Sequence, residues 1–186
     1  MKPSISEQAL IAAAQTGADA LFDAIADALF DSIHGELNAE SMQTLNSQQI
    51  TLLAYKILRD EVMDGGFVEL IHNGYGPFIF LNPFAKAMRL WGQDVEAETG
   101  TAILHDFSRL VYKGRKLFER YGDELTRPCS DDEFMALFEQ YPEFDDLDDE
   151  FVETEEAITT TIAYYVDAHL DDFVEVTKDD DTGHPA

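Results

Sequence analysis

The stretch Glu153-Thr-Glu-Glu-Ala-Ile-Thr-Thr-Thr-Ile-Ala-Tyr-Tyr-Val-Asp-Ala-His-Leu-Asp-Asp-Phe-Val174 decides whether the most acidic part of this chain is a tail or part of the fold. Ile158, Ile162, Tyr165, Val166, Leu170 and Phe173 recur in steps of three and four. That is the period of one face of a helix. A solvated tail has no use for such a stripe, so a helix is predicted here with a face that must be buried. On its other side Asp167, Asp171 and Glu175 follow at i, i+4 and i+8, one charge every ~6 Å along the axis. Asp172 flanks them.

Working towards the N-terminus, Ser130 is placed to cap a helix over Asp131–Tyr141, with acids in its first turn. Asp145–Glu150 reads as an acidic loop. Residues 105–121 read as helix, with Phe107, Leu110, Val111, Gly114, Leu117 and Phe118 inward and Arg109, Lys113, Lys116 and Arg120 outward. Residues 93–104 carry no decisive pattern. Asn82 is placed to cap a helix that begins at Pro83 and runs to Trp91-Gly92. Phe78–Leu81 fits a brief strand or a packed apolar loop, and Phe67, Leu70 and Ile71 suit a short helix before it. Ser47 is placed to cap a helix to Met63, which Asp64-Gly65-Gly66 stops. Residues 37–45 read as a polar connection. Residues 4–36 read as helix, broken at Thr16-Gly17, with Leu21, Ile25, Ala28 and Leu29 inward and Asp19, Asp23, Asp27 and Asp31 on a separate stripe. The expected fold is all-α. It is a single compact multi-helix domain over residues 1–177 with an acidic segment 131–177, followed by a disordered tail, 178–186.

The 186 residues carry 38 acids and 12 bases, a formal charge of −26. The split is uneven. Residues 1–130 hold 18 acids and 11 bases, while 131–186 hold 20 acids and one base, Lys178. A general solubility adaptation would spread its acids more evenly. Too few bases remain to neutralise phosphates, which argues against direct nucleic-acid binding and adhesion to an anionic membrane. A basic surface is the favoured partner. Thirteen Phe and seven Tyr argue against wholesale disorder. One cysteine, Cys129, excludes an internal disulfide and suits a reducing compartment. The early apolar run Ala9–Ala14 is too short for a secretory signal, and no stretch approaches the roughly 20 apolar residues of a membrane span. The expectation is a cytoplasmic protein.

Signatures of catalysis are poor. No P-loop, dinucleotide fingerprint, His-Glu-x-x-His or Gly-x-Ser-x-Gly pattern occurs. Glu69-Leu-Ile-His72 is one Glu-x-x-His, where a di-iron bundle needs two and further carboxylates. It reads better as a local helix contact. His169 reads as a packing histidine and Cys129 as an inert thiol. Asp145–Glu150 suggests calcium, but counting from Asp146 puts Phe151 at the sixth position and Ala157 at the twelfth, where an EF-hand needs Gly and Glu. The expectation is no enzyme, no cofactor and no metal site.

Asp64-Gly-Gly-Phe-Val-Glu-Leu-Ile-His-Asn-Gly-Tyr-Gly76, followed by Asn82-Pro-Phe-Ala-Lys-Ala87, resembles a bacterial DNA mimic protein-like domain family. The shared pattern is an acid before Gly-Gly-Phe, then an Asn-Gly or Asn-Ser turn, then a helix. It is clearest over residues 46–121. The resemblance implies a helical fold. Through the family's named member it implies an acidic dimer that occupies the DNA-binding surface of a helix-turn-helix transcription factor. No catalytic residue carries over. Gly65, Gly66, Phe67, Asn73 and Gly74 carry over as structural residues at a turn and a helix junction.

The functional expectation is a non-enzymatic regulator that mimics DNA and binds a basic DNA-binding protein such as a transcription factor. The expected contact residues are Asp131, Asp132, Glu133, Glu139, Asp145, Asp146, Asp148, Asp149, Glu150, Glu153, Glu156, Asp167, Asp171, Asp172 and Glu175, with the Asp19–Asp31 stripe as a second row. An exposed apolar face would support a homodimer. The alternatives are an interaction or immunity-type module whose partner does not bind DNA and, less favoured, a metal-dependent enzyme using Glu69 and His72. Self-repulsion at this charge predicts a melting temperature that rises from very low to moderate salt. A flat salt profile would mean that the acids are already paired or dispersed.

Overall fold

The computed structural model describes residues 2–95 and 98–178. The chain is all-α, with ten α-helices and one pair of three-residue strands among the described residues. It divides into two compact units, residues 1–53 with 162–186, and residues 54–161. No helix among the described residues is long and apolar enough to cross a membrane. The expected loose tail lies, apart from Lys178, outside the described residues.

In the first unit the chain starts as a strand, β1 (Ser4–Ser6), where helix was expected. It pairs in parallel with β2 (Glu175–Thr177), with Ser4 opposite Glu175 and Ser6 opposite Thr177. Ser6 then caps α1 (Glu7–Thr16), its Oγ accepting from the Ala9 N–H at 3.1 Å. Gly17 separates α1 from α2 (Ala18–Ser32), the expected break. Leu21, Phe22, Ile25, Ala26 and Leu29 of α2 are buried. The expected polar connection contains a short helix, α3 (Ala39–Met42). Asn38 and Ser41 build it by bonding reciprocally to each other's N–H.

Ser47 opens α4 (Ser47–His72), but its cap is Asn46. Asn46 accepts from the Gln49 N–H, and Gln49 returns the bond to the Asn46 N–H, both at 2.9 Å. The same two side chains reach the C-terminal segment. Asn46 donates to the Asp172 carbonyl at 2.7 Å, and Gln49, itself buried, donates to the Phe173 carbonyl at 2.8 Å.

In the second unit α4 does not stop at Gly65-Gly66. It kinks there, with Gly65 at φ −145° and Gly66 at φ +74°, and resumes helical geometry to His72. Pro77 sits in the first turn of α5 (Gly76–Phe80), where its missing N–H costs nothing. The Phe78–Leu81 stretch is therefore mostly helix, neither strand nor loop. Asn82 accepts from the Phe84 N–H at 3.0 Å, so α6 (Phe84–Asp94) begins one residue later than expected. The undecided residues from 98 onward belong to one long helix, α7 (Glu98–Leu125), which packs along α6. Gly114 of α7 lets the Phe80 ring come close, because a side chain there would overlap it.

Ser130 caps α8 (Asp131–Gln140), as expected, and Glu133 closes a reciprocal capping box with it, while the helix ends one residue before Tyr141. A 3-10 turn (Pro142–Phe144) leads into α9 (Asp145–Ala168). Asp145–Glu150 is thus not a loop but the first turns of a helix. The last long helix also ends sooner than expected. Its C-terminal end lies at Ala168, and a short α10 (Leu170–Phe173) follows.

Aromatic rings fill the second unit's core. Phe67 meets Phe80 and Phe151, and Phe107 meets Tyr55, Phe84 and Phe151, all with centroids 5.6–6.4 Å apart. Thr159 spends its one hydroxyl proton on Glu155 at 2.7 Å, so the buried Tyr55 hydroxyl must donate to Thr159, also at 2.7 Å. Gly66 is constrained twice over. Its positive φ disfavours any side chain, and a Cβ there would overlap the Asp148 carboxylate. Gly66→Ala should cost about 2–3 kcal/mol, read as a lowered urea midpoint with an unchanged slope. An unchanged midpoint would mean that the kink relaxes freely.

Candidate functional site

Helix α9 separates its residues by face. Leu147, Phe151 and Ile158 are buried. Asp146, Asp149, Glu153 and Glu156 are exposed. These acids stand at i, i+3, i+7 and i+10, within one side of the cylinder. They span ~15 Å of axis, one carboxylate every ~5 Å. Asp145 joins them, exposed in the first turn. The eight acidic side chains of α9 between Asp145 and Glu156 do not behave alike, however. Glu150 is held by Lys113 of α7 at 2.6 Å.

Asp148 points away from this row. It is half-buried, and it accepts the Phe67 N–H at 2.8 Å at the double-glycine kink. Burial is the main cause that pushes its carboxyl up to about 6, and the neighbouring Asp145 and Asp149 add to it, while the Phe67 bond acts in the opposite sense. Its role in the structure is to cap a helix from outside.

On α8, Asp131, Asp132 and Glu133 lie exposed in the first turn, and Glu139 lies exposed near the end. Glu133 folds back to accept from the Ser130 N–H at 2.8 Å, which holds its carboxyl below the usual range. Glu143, in the 3-10 turn, accepts from the Tyr121 hydroxyl at 2.8 Å and is lowered by that bond. The Tyr141 hydroxyl donates to Glu124, and the Tyr121 and Tyr141 rings touch at 4.9 Å. These contacts tie the acidic α8–α9 connection to α7.

In the first unit Asp167, Asp171, Asp172 and Glu175 are all exposed. They do not form the expected straight row on one helix. The helix breaks at His169, whose ring stacks on Tyr165 at 4.2 Å and whose Nδ1 bonds to the Tyr165 carbonyl at 2.7 Å. Asp171 and Asp172 therefore sit on α10 and Glu175 on β2. On α2, Asp19, Asp27 and Asp31 are exposed, and Asp23 alone of that stripe is half-buried.

The Glu69/His72 pair is engaged locally. Gly65 leaves room for the Glu69 carboxylate, which burial and the nearby Asp64 and Glu61 push upward. The His72 Nδ1 bonds to the Leu125 carbonyl at 2.7 Å, and its ring lies against Phe134. Among the described residues no group of three or more His, Cys, Asp and Glu side chains is arranged to hold a metal. Cys129 is exposed. One feature escaped the sequence reading. An open groove between α7 and α9 is lined by Ala102, Asp106, Phe107, Glu150, Ala157 and Ile158, among others. Its α7 wall begins in the segment whose pattern was undecided.

A family model described as DMP19-like protein matches residues 43–169. The DNA mimic protein DMP19 of Neisseria meningitidis serogroup B (strain ATCC BAA-335 / MC58) is 29% identical over 138 residues, which cover 74% of this chain and 77% of that protein.

The raised carboxyl of Asp148 has a definite sign. Between 3.8 and about 6 the folded chain holds a proton that the unfolded chain has released. The stability this group contributes is therefore present at low pH and is lost as pH rises through that window. Asp148→Asn keeps an oxygen for the Phe67 N–H and removes the charge. It should raise stability at neutral pH by about 1–2 kcal/mol, a figure discounted for partial exposure. The difference between variant and parent should vanish at pH below 4. Parallel denaturation curves across pH check this, and a constant difference would refute the assignment.

Proposed function

The chain belongs to the DMP19-like protein family, and from that membership we propose that it is a non-enzymatic DNA mimic that binds a basic DNA-binding protein through the acids of α8 and α9. The observation that carries the reading is the division of α9, apolar side inward and Asp146, Asp149, Glu153 and Glu156 outward on one side. B-DNA carries one phosphate per ~3.4 Å of axis on each strand. A carboxylate every ~5 Å is sparser than one strand, yet close enough for a basic surface built for phosphates to meet several at once. The α8–α9 acids also lie inside the segment that the family model matches, whereas Asp171, Asp172, Glu175 and the α2 acids lie outside it. The α8–α9 face is therefore the primary surface in this proposal, with the others as flanking charge. A transcription factor is the partner class this reading favours, and the outcome of binding is competition with its DNA.

The test is capture of partners on the full chain at low and high salt, followed by competition with duplex DNA. A basic DNA-binding protein should be retained at low salt, released at high salt, and displaced by the duplex. The combined variant Asp146→Asn, Asp149→Asn, Glu153→Gln and Glu156→Gln should lower its affinity by about tenfold or more and flatten the salt dependence. A captured protein that holds duplex DNA and this chain together would overturn the mimicry. So would equal affinity for the neutralised variant.

A further inference from the structure

The open groove between α7 and α9, within residues 54–161, has a volume of about 190 Å³. Phe107, Leu110 and Ile158 form its buried floor. Ala102 and Ala157 line it from the two helices, exposed and too short to fill it. Two carboxylates line the same groove, Asp106 from α7 and Glu150 from α9. Lys113 fixes Glu150 in place at 2.6 Å. Ala157 is one turn along α9 from Glu153, so the exposed acid row runs beside the groove.

A row of phosphates offers charge without an apolar floor. This groove instead fits a side chain that is apolar along its length and cationic at its tip. Lysine and arginine both have that form. The planar guanidinium adds paired donors that match a carboxylate and is more weakly hydrated than an ammonium. A wholly apolar side chain would cover Asp106 and the Lys113-paired Glu150 and bring Asp106 no counter-charge, which costs free energy.

We propose that the α7–α9 groove seats an arginine side chain of the basic partner, its aliphatic stem over Phe107 and Ile158 and its guanidinium at Asp106 and Glu150. The proposal rests on the reading of the α8–α9 acids as a face for a basic protein. It adds a contact that does not depend on charge alone. Burial of the stem is insensitive to screening, so this part of the affinity survives salt.

The full chain, labelled for NMR, is titrated with a hexa-arginine peptide and with a hexapeptide of 2-amino-3-guanidinopropionic acid, which keeps the guanidinium charge and lacks all but one methylene of the stem. Hexa-arginine should shift the amides of Ala102, Ile103, Thr154 and Ala157 and should stay bound at about 0.3 M salt. Ala157→Trp and, separately, Ala102→Trp fill the groove from opposite sides without changing charge. Each should weaken hexa-arginine about fivefold at that salt and leave the short-stemmed peptide within about twofold. Equal response to the two peptides would overturn the groove. So would shifts confined to the α8 and α9 acids with both Trp variants binding like the parent, an outcome that leaves the acidic face standing. Failure of both peptides to bind even at low salt would overturn the groove and the acidic face together.

Discussion

The bond from the Phe67 N–H to the Asp148 carboxylate, 2.8 Å long, governs how the second unit is built. A helix that restarts after a kink exposes N–H groups with no helical partner. Ordinarily a side chain just before the restart accepts one of them. Here Gly65 and Gly66 precede it and have no side chain to offer. The acceptor must come from elsewhere in the chain, and the first turns of α9 bring it. This requirement fixes the start of α9 against the double-glycine motif. It also explains why a carboxylate stands half-buried beside Asp145 and Asp149, where its charge is least comfortable.

The acids of the chain therefore serve two different ends. Some stabilise helix termini. Glu133 closes the α8 capping box, Asp131 and Asp132 complement the positive end of α8, and Asp145 and Asp146 do the same for α9. Asp148 caps at a distance. Glu139, Glu153 and Glu156 have no such helix-end service, because they stand beyond the first turns. Their mutual repulsion is a cost of folding that the buried side of α9 must offset. A counter-charged surface would remove that cost, and this is the physical sense in which a basic partner completes the structure.

Long amphipathic helices were legible because their period repeats often enough to stand out, as in α2 and the middle of α7, and the Ser130 cap of α8 was legible from its residue type. Asp145–Glu150 was misread because its charge density looks like a loop. The clue was the four-residue step from Leu147 to Phe151, which continues the stripe of Ile158 and Ile162. Parallel pairing of Ser4–Ser6 with Glu175–Thr177 joins opposite ends of the chain, and nothing local encodes it. At the break the His169 ring stacks on Tyr165, a contact that helical periodicity does not encode, and the break cuts the expected row of Asp167, Asp171 and Glu175. Of the candidate site, the acidic content and its place in the last third were readable. Which acids turn inward was not, since Asp148 differs from its neighbours only through a kink some eighty residues earlier.

Charge alone selects poorly among partners. A surface with an excess of carboxylates attracts every basic protein and loses each of them as salt rises. Selectivity needs a short-range element that wrong partners cannot satisfy. In this chain the α9 acids are placed beside an apolar groove whose own walls carry Asp106 and Glu150. In the proposed reading the long-range field would bring a basic surface to α9, and the groove would then ask for a side chain of particular length and shape. On that proposal, an acidic face and an apolar groove beside one helix would divide attraction from discrimination, and the second task is one that phosphates alone do not perform.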